Sequence, residues 1–405
     1  MKESSAANKI QDLQFFGEFG GVNPSISDSS TYTFLTAKAM SDTFEGQTEG
    51  CYLYSRHTSP SNLYLSEALA QMEGTESANV TASGMGAITS VLLQICKSGD
   101  HIVSSRTIYG GTYAFMKNFL PGLKIGSSFV NITDLAAVEA AITENTRMIY
   151  CETVSNPLLE VADLAALSKL AKKHNLQLVV DNTFSPLMVS PTRLGADVTI
   201  HSLTKFINGS SDAVGGVICG TTDFINSLKD VNSSACMLLG PTMDSLRAAS
   251  ILKNLRTLHL RMKKHSENAQ YLAERWQEDG LKVKYPGLES HPQHSLFSEM
   301  MNAEFGYGGL IALDVETVEK ANELMEAMQA ENIGYLAVSL GFYKTLFCAS
   351  GTSTSSEIPA DEQKEMGLSP GLIRFSIGLD QDIERTYMKM RGCMEKTGVL
   401  QAVNS

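Results

Sequence analysis

From Gly84 to Ser202 the chain repeats one pattern, an amphipathic stretch of helical period followed by a short, β-branched apolar run. "GAITSVLLQICKSGD" reads as helix and "HIVSS" as strand, "TDLAAVEAAI" as helix and "RMIYCET" as strand; "VADLAALSKLAKKHN" then leads into the strands "LQLVVDN" and "ADVTIHS". Runs this apolar on both pleats leave no face for water. Helices between successive strands supply both the cover and the crossover that parallel pairing needs. The pattern predicts an α/β fold built on a mostly parallel sheet.

At 405 residues the chain is longer than one simple domain. Residues 1–60 lack clean periodicity and are rich in Ser, Thr, Gly and aromatics, so they read as an extended arm; 61–255 form the large α/β domain and 256–405 a smaller α+β domain. From about Thr242 to Glu278 no Pro or Gly interrupts a helical tract, which reads as a bridge between the two. Beyond it the strands "LKVKYPG", "GGLIALDV", "YLAVSL" and "LIRFSIGL" alternate with the helices "TVEKANELMEAMQAEN" and "DIERTYMKMRGCMEKT".

A net charge of -12 argues against nucleic acid, whose phosphates are bound by clustered Lys and Arg. No stretch approaches the roughly 18 apolar residues of a membrane helix, and the N-terminus lacks the apolar core of a secretory signal, so a cytoplasmic protein is expected. The seven cysteines are scattered and never spaced C-x-x-C, which suggests reduced thiols and no zinc site. Pro292 speaks against His291 and His294 of "HPQH" as paired ligands on one helix, and that segment reads as a surface loop with no metal.

The chemistry gathers around "ADVTIHSLTKFINGSSDAVGG", where an apolar strand delivers Lys205 into a knot of small polar residues. The strand before it ends at Asp181. Ligands of open α/β sheets collect outside the carboxyl ends of strands, so the two side chains can converge on one crevice. A lysine amine can form a Schiff base with an aldehyde, and a carboxylate can keep a pyridine nitrogen protonated so that the ring draws electrons from a substrate's α-carbon. The pair therefore fits pyridoxal 5'-phosphate; taken singly, a lysine after a strand is usually a solvated surface residue and an aspartate at a strand end usually caps the next helix.

Around that pair, Ser202 and Thr204 offer hydroxyls to a phosphate, and the amides of Gly84 and Met85 in "TASGMGAITSVLLQI" open a helix whose dipole favours an anion, unless they form only a cap. Asn156 of "SNP" follows a strand and can bond a ring hydroxyl or simply turn the chain. Tyr109 of "RTIYGGTY" can stack on a pyridine and use its phenol as acid or base, or merely pack.

Taken together, "YSRHTSPS", "ASGMGA", "SNP", "VVDNTFSP", "HSLTKFINGSSDAVGG", "LAVSLG" and "LIRFSIGLD" make the chain resemble, from about Gly17 to its last helix, the Cys/Met-metabolism group of fold-type I pyridoxal phosphate enzymes. Within the group it is most similar to the methionine γ-lyases, through "YGGTYAFMKNFLP", "MLLGPTM", "YPGLESHPQH", "GYGGL" and "GTSTSSEIP". The resemblance implies an aspartate-aminotransferase-like fold with a seven-stranded sheet in the large domain. It implies Lys205 as the Schiff-base lysine, Asp181 as the partner of the pyridine nitrogen, and Gly84, Met85, Ser202 and Thr204 at the phosphate. Tyr54 and Arg56 would reach the phosphate of a neighbouring subunit in a homo-oligomer, a dimer of dimers with shared active sites. Tyr109 would stack on the cofactor and protonate the leaving group. Arg374, with Asn156 and Ser339 beside it, would clamp the carboxylate of an amino-acid substrate.

The implied reaction is α,γ-elimination of L-methionine to methanethiol, 2-oxobutanoate and ammonia. The alternatives in the same group are γ-replacement, as in O-acylhomoserine sulfhydrylases and cystathionine γ-synthases, and cystathionine γ-lysis; a non-catalytic scaffold of the same fold is a remoter one. Cystathionine-cleaving members often carry an acid just before "SLG", where this chain has Val338, an apolar neighbour better suited to a thioether methyl. Gly111 stands where bacterial methionine γ-lyases commonly place a cysteine.

Overall fold

The computed structural model describes residues 5–48, 50–351 and 358–401; most of "GTSTSSEIP" therefore lies outside the described residues. The large sheet consists of β1 (Ser77–Thr81), β2 (His101–Ser105), β3 (Gly126–Val130), β4 (Thr146–Glu152), β5 (Gln177–Asp181), β6 (Val198–Ser202) and β7 (Gly216–Gly220). Their order is β1-β7-β6-β5-β4-β2-β3. The five strands from β3 to β6 run parallel, as the intervening helices require, while β7 and β1 pair antiparallel at one edge. Both faces are apolar and sealed: Val179 and Ile200 sit in one core cluster, Val180 and Val217 in another. Of the strands that periodicity overlooks, "SANVT" and "GSSFV" carry small or polar residues where β-branched ones are expected, and "GVICG" has only three apolar residues between two glycines.

A second sheet contains β8 (Lys282–Lys284), β9 (Leu310–Asp314), β10 (Gly334–Leu336), β11 (Thr345–Ala349) and β12 (Leu372–Ser376), in the order β10-β11-β12-β9-β8. β11 is not among the strands expected from the sequence, and two further features differ from that reading. The tract from Thr242 is not one helix but two, Ser245–Leu255 and Leu258–Glu278. The break has a side-chain cause: the Asn254 carbonyl accepts from the hydroxyl of Thr257 and from Arg261 Nη2 at 3.1 Å, and so terminates the first helix. The strand expected over "YLAVSL" ends at Leu336, because the chain from Val338 onward leaves the sheet to cover Lys205. Gly341 allows that close approach. Its φ is +79°, and a Cβ there would lie 2.5 Å from the Phe206 nitrogen. In "HPQH" His291 is 8% exposed, whereas Pro292 is exposed and Gln293 and His294 are half-buried, so the turn lies at the surface with only its first histidine buried.

Candidate active site

The carboxyl ends of β4, β5 and β6 point at one cavity of about 240 Å³, closed by Arg374 of β12 and by the start of the helix Gly84–Ile95. Of the residues singled out in the sequence, Gly84, Met85, Tyr109, Asn156, Asp181, Ser202, Thr204, Lys205, Val338 and Arg374 all line it. Ser339 joins them by accepting a hydrogen bond from Lys205 Nζ at 3.1 Å. Tyr54 and Arg56 lie elsewhere: the Arg56 guanidinium sits 5.8 Å from the Tyr54 ring centroid and donates to the Met237 carbonyl at 2.7 Å.

Asp181 ends β5 and is 7% exposed. Burial raises its carboxyl above the ordinary range, opposed by the Thr183 hydroxyl and amide, which both donate to Oδ1. Thr183 Oγ1 also accepts the Ser202 amide at 2.8 Å, which ties the end of β5 to the end of β6. Lys205 follows in the turn after β6. Burial, and then the charge of Arg374, lower its amine to about 8. Arg374 is 2% exposed; Nη1 donates to Asn156 Oδ1 at 2.9 Å, Nη2 to the Ser339 carbonyl at 3.3 Å, and Nε has no partner among the described residues.

At the helix start, Ser83 Oγ accepts the Gly86 amide at 2.9 Å, while the amides of Gly84 and Met85 have no acceptor among the described residues. A Cβ on Gly84 would come within 2.9 Å of Ser202 Cβ, so only glycine lets the helix end meet Ser202 this closely.

The sequence reading misses Glu152. It is the last residue of β4, paired with Asp181 across the sheet, and burial, then the Asp181 charge, push its carboxyl far up. The rule that singles out Asp181, an acid at the end of an apolar strand, applies equally to "RMIYCET". Thr183 and Phe184, two and three residues past Asp181, are also missed.

Two cationic and two acidic side chains thus share one buried cavity, yet no ion pair joins Lys205 or Arg374 to a carboxylate among the described residues. Buried charge of this kind is costly unless a ligand complements it. The donor set fits pyridoxal phosphate: an amine for its aldehyde, a carboxylate for its ring nitrogen, and free amides with two hydroxyls for its phosphate.

Comparison with known proteins agrees. The family described as Cys/Met metabolism PLP-dependent enzyme matches residues 6–385. The chain is 47% identical over 378 residues to a methionine γ-lyase of Arabidopsis thaliana, covering 92% of this chain and 86% of that one. It is 36% identical over 356 residues to an O-succinylhomoserine sulfhydrylase of Pseudomonas aeruginosa, covering 87% and 86%. In structure it resembles a putative O-acetylhomoserine (thiol)-lyase of Campylobacter jejuni, solved with N'-pyridoxyl-lysine-5'-monophosphate, at a TM-score of 0.89 and 27% identity over 97% of this chain and 100% of that one. Cavity, donor set and relatives converge: the chain is a fold-type I, pyridoxal phosphate-dependent enzyme of the Cys/Met-metabolism family.

Proposed function

We propose that the protein is a methionine γ-lyase, converting L-methionine and water to methanethiol, 2-oxobutanoate and ammonia. The observation that carries this reading is Arg374, a buried guanidinium with no carboxylate partner among the described residues, in a cavity that the Lys205 amine and the apolar Val338 also line. An amino acid bound there has its carboxylate on Arg374 and its side chain near Val338, Leu340 and Val214. A thioether suits those neighbours; Val338 and its sequence neighbours Ala337 and Ser339 offer no acid to a distal ammonium. When bound, pyridoxal phosphate supplies an electron-withdrawing ring that makes the α-proton acidic. Lys205 Nζ, neutral in substantial fraction near pH 8, takes and returns that proton, and the Tyr109 phenol donates one to the departing sulfur. Asp181 holds the ring nitrogen charged. Gly84, Met85, Ser202 and Thr204 hold the phosphate, and Asn156 and Ser339 orient Arg374.

The further parts of the reading concern assembly. Residues 1–60 act as an arm onto a second copy, where Tyr54 and Arg56 complete the neighbour's phosphate site, with 61–255 as the cofactor domain and 256–405 as the smaller one. The exposed positions of Tyr54 and of the arm's apolar residues, away from the Lys205 cavity, support it.

A γ-replacement transferase is the second reading, favoured by the likeness to the O-succinylhomoserine sulfhydrylase. Supplying methionine alone separates the two. A lyase releases 2-oxobutanoate and methanethiol together, and Lys205→Ala abolishes both; a transferase does little until a second nucleophile is added, and that outcome overturns the proposal.

A further inference from the structure

Glu152 has no role in the reaction as described, although it is 7% exposed and lines the cavity wall. Its two oxygens are fully committed. Oε1 accepts the Tyr109 backbone amide at 2.7 Å, and Oε2 accepts the Asn156 backbone amide at 2.9 Å. Tyr109 caps the helix Gly110–Ala114, so its amide has no acceptor inside that helix. Its side chain is 43% exposed, which means packing alone does not fix the ring; the backbone must. The ring also lies against Gly111, where a Cβ would meet Tyr109 Cε1 at 2.6 Å. On the other side, Asn156 is the residue whose Oδ1 takes Arg374 Nη1.

We propose that Glu152 is a positioning residue: its carboxyl group clamps the loop presenting Tyr109 to the loop whose Asn156 aims Arg374, and so sets the leaving-group acid and the substrate carboxylate in one register. The inference rests on the lyase reading for the roles of Tyr109 and Arg374, though the clamp itself does not. Two amide donors need two acceptor oxygens: a carboxyl group presents both, and these two hydrogen bonds oppose the burial that pushes its pKa up, whereas a carboxamide offers one. A second link joins the same two loops farther out, from Thr107 Oγ1 to Glu160 Oε2 at 2.8 Å. The loops therefore stay together without Glu152, and the clamp is separable from folding.

The test uses full-length Glu152→Gln, Tyr109→Phe and the double variant. Hydrogen–deuterium exchange, read on cofactor-free and loaded protein, should quicken in Glu152→Gln at the peptides containing Tyr109 and Asn156 and stay native elsewhere. The visible circular dichroism of the bound cofactor should shift. With methionine, Glu152→Gln should lower kcat and raise KM, with kcat/KM falling tenfold to a hundredfold or so, the scale of a small misplacement near the reacting atoms. Its effect and that of Tyr109→Phe should be less than multiplicative in the double variant, because both act through one phenol. Native exchange at both peptides, native kinetics, or strictly multiplicative losses overturn the proposal. Exchange does not depend on turnover: quickened exchange in a protein inert toward methionine sinks the lyase reading and leaves the clamp standing. If Glu152→Gln fails to fold, Glu152→Asp carries the same measurements, its shorter side chain being unable to span both amides; failure of both to give soluble, cofactor-binding protein also overturns the proposal.

Discussion

An ordinary lysine holds its proton until the pH passes about 10.4, whereas burial and the neighbouring Arg374 bring Lys205 to about 8. The free amine is the form that attacks an aldehyde. Cofactor uptake by the stripped enzyme should therefore speed up as the pH rises toward 8 and level off above it, measured as the growth of the visible absorbance band after mixing. A rate still climbing near pH 10 would mean that the amine is not shielded as described. Gly84 allows a second expectation. Ala at this position puts a methyl 2.9 Å from Ser202 Cβ, so the helix start or Ser202 must retreat. Gly84→Ala should weaken cofactor affinity by roughly tenfold, about 1.4 kcal/mol, with little change in melting temperature of the cofactor-free protein; equilibrium dialysis of the two proteins decides it.

The elements that hold the site are less legible in the sequence than its residues. Lys205 and Asp181 stand out because a charge ends or follows a run rich in β-branched residues, Val179 and Val180 in β5 and Val198, Thr199 and Ile200 in β6. β1, by contrast, carries Ser, Ala and Asn, and only long-range pairing makes a strand of it. Contacts between distant segments leave no local trace at all. His265 is one: it sits on the helix Leu258–Glu278, its Nδ1–H donates to the Ile377 carbonyl at 2.6 Å, and its ring meets Phe206, the residue after Lys205, edge-on at 5.2 Å. It thereby locks the long helix to both sheets. Burial lowers its pKa from 6.5 to about 4. A folded value below the unfolded one means that its stability contribution is fully present above pH 6.5 and is lost as the pH falls toward 4, by up to roughly 3 kcal/mol. Denaturation at pH 7 and at pH 5 should show this loss, and His265→Gln, though weaker at pH 7, should lose less between the two. An equal loss in both proteins would remove His265 from the account.

At the scale of the whole molecule, the arm poses the question that a single chain leaves open. Phe19 is 99% exposed, Val22 91% and Leu35 101%, all within the first 60 residues, and Leu238 and Leu239, next to the Met237 carbonyl that holds Arg56, are also exposed. Side chains of this size lie bare on a soluble monomer only at a cost, and a second copy is the covering surface that the proposed shared site requires. The geometry makes the sharing testable. Lys205→Ala chains cannot bind the cofactor productively, and Arg56→Ala chains lack one phosphate ligand, so each variant alone should be impaired at every site. If Arg56 serves the neighbour's cavity, a hybrid dimer contains one site with Lys205 from one chain and Arg56 from the other, both native. Refolding the two variants together in equal amounts makes half the dimers hybrid with one intact site in two, so activity should return to about a quarter of the native value. If Arg56 serves its own chain, every site in the mixture retains one of the two defects, and mixing restores nothing.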